Sequence, residues 1–309
     1  MEAMFIGEML IDFTPGAGSG IYQRNAGGGA ANACIAMAHN GLETGFLGKL
    51  GDDDFGHYLK EILAAEGVTY LCPKLTTAAV TTLAFVTLYE NGERSFTFAR
   101  KPGADMLLEL ADVKETDIEQ VRLVHAASFC MSKSPAREAH QYAIKMAKEK
   151  GKLVSYDVNY RESVWGRTEA GKVIDAALPY VDFLKISDEE LDFVGGEAHI
   201  QTLMKEQNIT VVIETMGAAG AKLFFAGKEE YLPGHPVHAV DATGAGDAFW
   251  GGFLSKILTS GVNKTTDVTL EMVREAVRYG NAAGAICVQK VGGIPALPYQ
   301  KEIEEYLAK

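Results

Sequence analysis

Short apolar runs alternate with segments of helical spacing along most of this 309-residue chain. The runs are Met4–Phe13, Thr44–Lys49, Leu123–Ala127, Leu153–Val158, Phe183–Ser187, Val211–Thr215 and Ala221–Phe225. Helical patterns cover Asn32–His39, Gly56–Ala65, Arg137–Lys150, Gly171–Ala177, Glu189–Val194 and Ile200–Glu206, then Ala248–Leu258, Leu270–Cys287 and Gln300–Ala308. A parallel sheet must cover both of its faces with crossover helices, and this order of segments supplies them. The expectation is an α/β fold in three layers, α/β/α, with a mostly parallel central sheet, residues 1–309 forming a single domain.

One region breaks the alternation. Thr81–Tyr89 and Arg94–Arg100 are rich in Thr, Val, Tyr and Phe and flank Asn91-Gly92. An Asn-Gly pair between two such runs signals a tight hairpin, because a type I′ turn needs positive φ at both central residues. Such a ribbon cannot be a βαβ unit. Together with Gly16–Asn25 it is read as a small β-sheet lid, about 13–25 and 81–100, inserted into the α/β domain; an ordinary edge hairpin is the other reading. A lid matters wherever a reaction must exclude water.

Composition removes several classes of function. The net charge of −12 and the lack of any dense Lys/Arg run argue against a nucleic-acid partner. Cys34, Cys72, Cys130 and Cys287 are far apart and show no C-x-x-C spacing, which disfavours a disulfide scaffold or zinc site and fits a reducing, cytoplasmic compartment. The segment Met1–Phe13 is broken by Glu2, Glu8 and Asp12 and has no basic start, so it reads as a buried strand and not a signal peptide. No apolar run is long enough to span a membrane.

The chemistry concentrates at Asp241-Ala-Thr-Gly-Ala-Gly-Asp-Ala-Phe249, with Val237–Val240 before it reading as a strand end and a helix following. Gly244 and Gly246 let the backbone approach a ligand, and a helix N-terminus offers unpaired N–H groups to an anion. Asp247 at that end has two readings: an N-cap, or a base taking a proton from a hydroxyl while the amides hold a moving phosphoryl group. The spacing alone leaves both open. No G-x-x-x-x-G-K-[ST] occurs, which excludes a P-loop, and no G-x-G-x-x-G follows the first strand, which disfavours a nicotinamide-dependent dehydrogenase.

This nonapeptide resembles the C-terminal signature of the PfkB, ribokinase-like, carbohydrate kinases, with Ala242 where Thr is commoner. A second signature, Asn25-Ala-Gly-Gly-Gly-Ala-Ala-Asn-Ala-Cys34, is similar to the family's N-terminal G-G-x-x-x-N-x-A. The resemblance implies ATP-dependent phosphorylation of a sugar hydroxymethyl group, with Asp247 as base and the backbone of Gly244, Ala245 and Gly246 as anion hole. Asp12, Gly27, Gly28 and Asn32 would hold the sugar, with Arg100 and Arg161 as helpers. Lys185, Ser187, Glu190, Thr215, Gly217, Gly220 and Asn281, with Gly244 and Gly246, would serve the nucleotide. Glu190 would order Mg²⁺ through water, although Ser187 stands where the family has Asn, and a monovalent cation, K⁺, would sit near Asp241. Gly48 to Gly56 matches a stretch that is mostly structural. The resemblance also implies a homodimer formed through the lid.

Within that family the chain is most similar to fructokinases, through Leu10-Ile-Asp-Phe13, Gly92-Glu-Arg-Ser-Phe96, Ala104-Asp105 and Asp157-Val-Asn-Tyr-Arg161 with Trp165. Two arginines facing one pocket would instead suit a carboxylate, so a 2-keto-3-deoxygluconate kinase is the alternative. A catalytically silent sugar- or nucleotide-binding regulator is the alternative of another class. His235 and His238 have metal-like spacing but lack a third ligand. Trp165 and Trp250 read as packing residues, while Phe129 and Met131 are placed at the sugar pocket.

Overall fold

The computed structural model describes residues 1–16, 18, 20–72, 74–88 and 94–309, without the side chains of Leu88 and Arg94. In chain order the elements are β1 (Ala3–Ile6), β2 (Leu10–Pro15), β3 (Tyr22–Gly27), α1 (Gly29–His39), β4 (Thr44–Leu47), α2 (Asp54–Ala65), β5 (Thr69–Tyr70), β6 (Leu83–Leu88) and β7 (Arg94–Ala99). Then follow α3 (Glu115–Glu119), β8 (Leu123–Ala127), α4 (Ala136–Glu149), β9 (Leu153–Asp157), α5 (Arg167–Ala177), β10 (Phe183–Ser187), α6 (Ile200–Gln207), β11 (Val211–Thr215), β12 (Gly220–Phe225) and β13 (Lys228–Pro233). The chain ends with α7 (Ala245–Thr259), α8 (Leu270–Cys287) and α9 (Gln300–Leu307).

Nine strands form the large sheet in the order β13-β12-β11-β10-β9-β8-β1-β4-β5. From β11 to β5 every pair is parallel, and β12 and β13 add an antiparallel edge. Alternation along β1 shows why the sheet needs two helical layers. Ala3 and Phe5 pack with α1, α2, α7, α8 and α9, whereas Met4 and Ile6 pack with α3, α4, α5 and α6. All four side chains are inaccessible to water. Trp250 packs at the centre of the first layer, stacked on Phe253 at 4.8 Å, and its indole N–H donates to Ser155 Oγ at 2.9 Å. Among the described residues no helix is long and apolar enough to cross a membrane.

The expected strand Met4–Phe13 is two strands in different sheets. The chain leaves the large sheet after Ile6, crosses through Gly7-Glu8-Met9, and enters a four-stranded sheet ordered β3-β2-β6-β7. Apolar residues flank the break on both sides, and a single Glu8 between them does not tell a crossover from a charged residue within one strand. Strands β6 and β7 pair antiparallel from Leu83↔Ala99 to Leu88↔Arg94, as the hairpin signal predicts, while the Asn91-Gly92 turn lies outside the described residues. Strand β2 pairs antiparallel with β3 and parallel with β6, which joins the two hairpins into one sheet. The expected strand end at Val237–Val240 is irregular chain, held by Val240 N–H to Val288 O at 2.7 Å.

Candidate active site

Parallel strands point their carboxyl ends to one edge of the sheet, and β1, flanked by β4 and β8, marks the point where the strand order reverses. A cleft of about 420 Å³ opens there, bounded by the start of α7 and the small sheet. Asp12, Asn32, Asp157, Lys185, Glu190 and Asp247 converge on it from six different segments.

The turn before α7 is shaped by Asp241. Its buried carboxylate accepts the N–H of Thr243 at 2.7 Å and of Gly292 at 3.0 Å. Gly244 then takes φ 78°, a left-handed conformation that glycine adopts without strain, and caps a helix beginning at Ala245. The helix thus starts three residues before the expected Ala248. This shift removes the capping reading of Asp247, which lies in the first turn and caps nothing. It also modifies the expected anion hole, because the Ala245 N–H turns back to Ala242 O at 3.3 Å. Gly246 and Asp247 carry the first-turn amides that have no carbonyl one turn behind them.

Asp247 Oδ2 instead accepts Asn32 Nδ2 at 2.8 Å. This contact depends on close packing of α1 on α7: a Cβ on Gly251 would lie 2.5 Å from Ala36 Cβ, closer than two carbons can stand. Burial raises the Asp247 pKa above the usual aspartate value, with the Asn32 hydrogen bond opposing it and the Asp157 charge adding to it. A carboxylate with raised basicity at a helix N-terminus can accept a proton beside a bound anion.

Lys185, on β10, approaches the same helix end. Its Nζ lies 2.9 Å from Asp157 Oδ2 and 3.7 Å from the position a Cβ on Gly246 would occupy. Burial works against its charge, but Asp157 and Glu190 outweigh it and its pKa is raised, so the ammonium persists. Ser187 ends β10 and opens a 3-10 turn, Asp188–Val194, where the sequence predicts an α-helix. Glu190 accepts the N–H of Ser187 at 2.9 Å and of Tyr160 at 2.7 Å. Both its oxygens are engaged yet keep a further lone pair, and burial raises its pKa. No group of three His, Cys, Asp or Glu able to hold a metal exists among the described residues. These donors fit Mg²⁺ in the form that keeps its waters and binds through phosphate and one or two carboxylates.

On the side where the sequence places the sugar, Asp12 of β2 faces the cleft, and burial, then the charges of Asp247, Glu8 and Asp241, push its pKa up to about 7. Gly27 lies beside it, where a Cβ would sit 2.1 Å from Asp12 Oδ2, and Gly28 and Asn32 line the cleft. Leu10, Phe96, Phe98 and Phe129 form an apolar wall under the small sheet.

Several expected residues lie elsewhere. Arg100 does not face the cleft with Arg161: it is buried, its Nε and Nη2 reach Asp105 Oδ2 at 2.8 and 2.6 Å, and its Nη1 donates to Ser132 Oγ at 3.1 Å. The pair of guanidinium groups anticipated from sequence is therefore single, since only Arg161 lines the cleft. Thr215 lines it too, but Gly217 and Gly220 form the turn beyond, closed by Met216 N–H to Gly220 O at 2.8 Å. Asn281 donates to Leu232 O and Pro233 O at 3.4 and 3.2 Å and borders a separate hollow. Met131 is buried against the Tyr156 hydroxyl. His235 packs edge-on to Tyr306, and His238 is exposed.

Glu8 and Asn159 were not singled out by sequence reasoning, and both line the cleft. Asn159 adopts φ 37°, and its amide lies 2.6 Å from where a Cβ on Gly29 would be. Its only sequence signal is the stretch Asp157 to Arg161. Glu8 is 2% exposed in the crossover between the two sheets, and burial, with the charges of Asp105 and Asp247, lifts its pKa to about 7. A charged residue between two apolar runs was its signal.

A mostly parallel α/β/α sandwich with a second small sheet over the carboxyl ends of its strands defines the ribokinase-like class of α/β enzymes. The comparisons place the chain within that class. It belongs to the pfkB family of carbohydrate kinases, whose profile matches residues 2–300. Fructokinase-2 of Oryza sativa subsp. japonica is 39% identical, with 98% of this chain and 93% of that protein covered. The crystal structure of fructokinase with bound ATP from Xylella fastidiosa superposes with a TM-score of 0.90 at 27% identity, covering 99% of this chain and 98% of that one. A fructokinase double mutant from Vibrio cholerae O395, with fructose, ADP and potassium ion bound, gives 0.88 at 31% identity over 99% and 98% of the two chains.

Proposed function

We propose that this protein is a fructokinase, transferring the γ-phosphoryl group of ATP to a hydroxymethyl oxygen of fructose. The observation that carries this reading is the Asp247 carboxylate, released from capping, oriented by Asn32 and set in the first turn of α7 beside Lys185. The similarity to fructokinases along nearly the whole chain supports the choice of sugar.

Asp12, Asn32 and the backbone at Gly27-Gly28 orient the sugar with its hydroxymethyl oxygen toward Asp247. The hydroxyl proton passes to Asp247 as that oxygen bonds to Pγ. The bond from Pγ to the β,γ-bridging oxygen breaks, and ADP leaves with that oxygen. The Gly246 and Asp247 amides and the Lys185 ammonium stabilise the charge on the transferring group, which is where most phosphoryl-transfer catalysis resides. Mg²⁺, held through water by Glu190, would neutralise phosphate charge. A monovalent cation is proposed beside Asp241, whose buried charge would balance it.

The small sheet acts in this reading as a lid, its Phe96 and Phe98, together with Phe129 from the 3-10 turn after β8, covering the apolar face of the sugar. Its edge strand β3 begins beside Ile21 and Tyr22, which are 56% and 50% exposed, and supports pairing of two lids in a homodimer. Four buried, unbridged cysteines fit a reducing, cytoplasmic setting. Arg100 is committed to Asp105, so the carboxylate fork that a 2-keto-3-deoxygluconate kinase would use is incomplete.

ADP release measured with fructose, ribose, 2-keto-3-deoxygluconate and nucleosides tests the assignment. Fructose is expected to give the highest kcat/KM. Faster turnover of ketodeoxygluconate overturns the sugar, and no turnover of any of them overturns the kinase.

A further inference from the structure

Helix α1 has no side chain of its own to cap it, because its N-cap is Gly28. The missing acceptor comes from far upstream. Glu8 Oε1 lies 2.6 Å from the Gly29 N–H and 3.4 Å from that of Ala30, so a carboxylate in the β1–β2 crossover closes the first turn of α1. The turn it closes carries Asn32, whose N–H bonds to Gly28 O at 2.8 Å and whose side chain donates to Asp247. Asn32 has no other hold on its position through its side chain: its Oδ1 is buried without a partner. The other Glu8 oxygen faces Cys130 Sγ at 3.4 Å, and behind it lie Asp105 and Arg100.

We propose that Glu8 is a positioning residue for catalysis, acting through the first turn of α1 to hold Asn32 against Asp247. It touches neither sugar nor phosphate in this role. The proposal rests on the reading of Asp247 as base. The work required of Glu8 is that of a hydrogen-bond acceptor; its charge is incidental. Glutamine keeps an acceptor for the Gly29 N–H, whereas alanine removes it. A misplaced catalytic group costs roughly 10²-fold in rate for a displacement near 1 Å, so a lost cap on this turn has a measurable effect.

The test compares Glu8→Gln, Glu8→Ala, Asn32→Ala and the double variant Glu8→Ala/Asn32→Ala in steady-state kinetics across pH, with Asp247→Ala alongside. The charged and titratable groups facing Glu8 are Asp12, Asp105, Arg100, Cys130 and Asp247, and all are unchanged in the first four proteins. Glu8→Ala is expected to lower kcat about 10- to 100-fold and to move the acid limb of the pH–rate profile upward, because Asn32 no longer favours ionised Asp247. Asn32→Ala should move that limb in the same direction, and the double variant should be no slower than Asn32→Ala alone. Glu8→Gln should keep kcat within about threefold of the native enzyme, as a retained hydrogen bond requires.

Independent, multiplying losses in the double variant would overturn the proposal, as would an unmoved acid limb in Glu8→Ala. If Glu8→Ala does not fold, Glu8→Gln decides: a loss of kcat beyond tenfold in a folded Gln variant would overturn it. Activity retained by Asp247→Ala would instead remove the reading of the base, and so separates the two failures.

Discussion

Asn32 and Asp247 stand 215 positions apart in sequence and are joined by a hydrogen bond of 2.8 Å between the first turns of two helices. The two signatures that bracket the chain therefore form one constellation. In the proposed reading that juxtaposition orients Asp247 as the base and leaves the first-turn amides of α7 for an anion.

Replacing Asp247 with Asn preserves shape and the neighbouring helix contacts but cannot accept a proton. The expected loss in kcat is about 10²–10⁴, with a thermal midpoint at or above that of the native protein, because a buried charge is removed. A kcat within threefold of native would exclude the base role.

Lys185→Met should leave fructose binding by calorimetry nearly unchanged while kcat falls about 10²-fold or more, the scale of losing one donor to transition-state charge. The same variant leaves Asp157 buried beside no cation. Its stability in denaturant titrations should fall as well, because removing one partner of a buried ion pair costs about 3–5 kcal/mol.

Arg100 makes a different prediction from the one its sequence position suggests. It is a buried ion pair with Asp105, and breaking such a pair from one side costs about 3–5 kcal/mol. Arg100→Met should lower stability in denaturant titrations by that order. Arg100→Met/Asp105→Leu should recover part of it. If Arg100→Met changes only the sugar KM, with stability untouched, the residue belongs to the sugar site after all.

Asp12 sets a pH dependence whose sign can be worked out. Its pKa is about 7 in the folded protein, above the ordinary carboxylate value of 3.8. Between those values the native state holds a proton that the unfolded state has released, so this group's contribution to stability falls as pH rises through the window. Asp12→Asn removes that penalty. The ligand-free variant should melt higher than the native protein at pH 8, and the difference should shrink toward pH 5. An equal difference at both pH values would show that Asp12 is not held in this way.

Gly29→Ala opposes two effects of different size. Alanine in place of glycine favours a helix by about 1 kcal/mol. Its Cβ would stand 2.6 Å from Asn159 Nδ2, 3.3 Å from Glu8 Oε1 and 3.4 Å from Asp247 Oδ1. The clash falls on the Asn159 amide in the cleft, and its displacement should win, giving a folded protein with kcat reduced at least tenfold.

The large sheet and its helices were legible because their periodicities are regular: Leu270–Cys287 appears with the bounds expected of it. Asp12, Asn32, Lys185, Glu190 and Asp247 were legible as residues that the fold brings to one cleft, since glycine turns and carboxylates announce themselves locally. The break at Gly7-Glu8-Met9 was not, because both sides of it are apolar strands. The engagement of Arg100 was equally hidden. Asp105 is only five positions away, but nothing in the local pattern says that both side chains turn inward. The Asp247 cap was misplaced for a similar reason: two glycines precede it, and only the folded chain shows which one starts the helix.

The three-residue crossover has a mechanical consequence. The chain leaves the large sheet after β1 at a point pinned by Glu8 to α1, so any rotation of the small sheet would pivot beside the candidate active site. For any rotation about that point, travel grows with distance along β2. Asp12 moves least, and the outer end, where Pro15 pairs with Tyr22, sweeps farthest. In such a rotation Asp12 would stay nearly in place while the far rim moved.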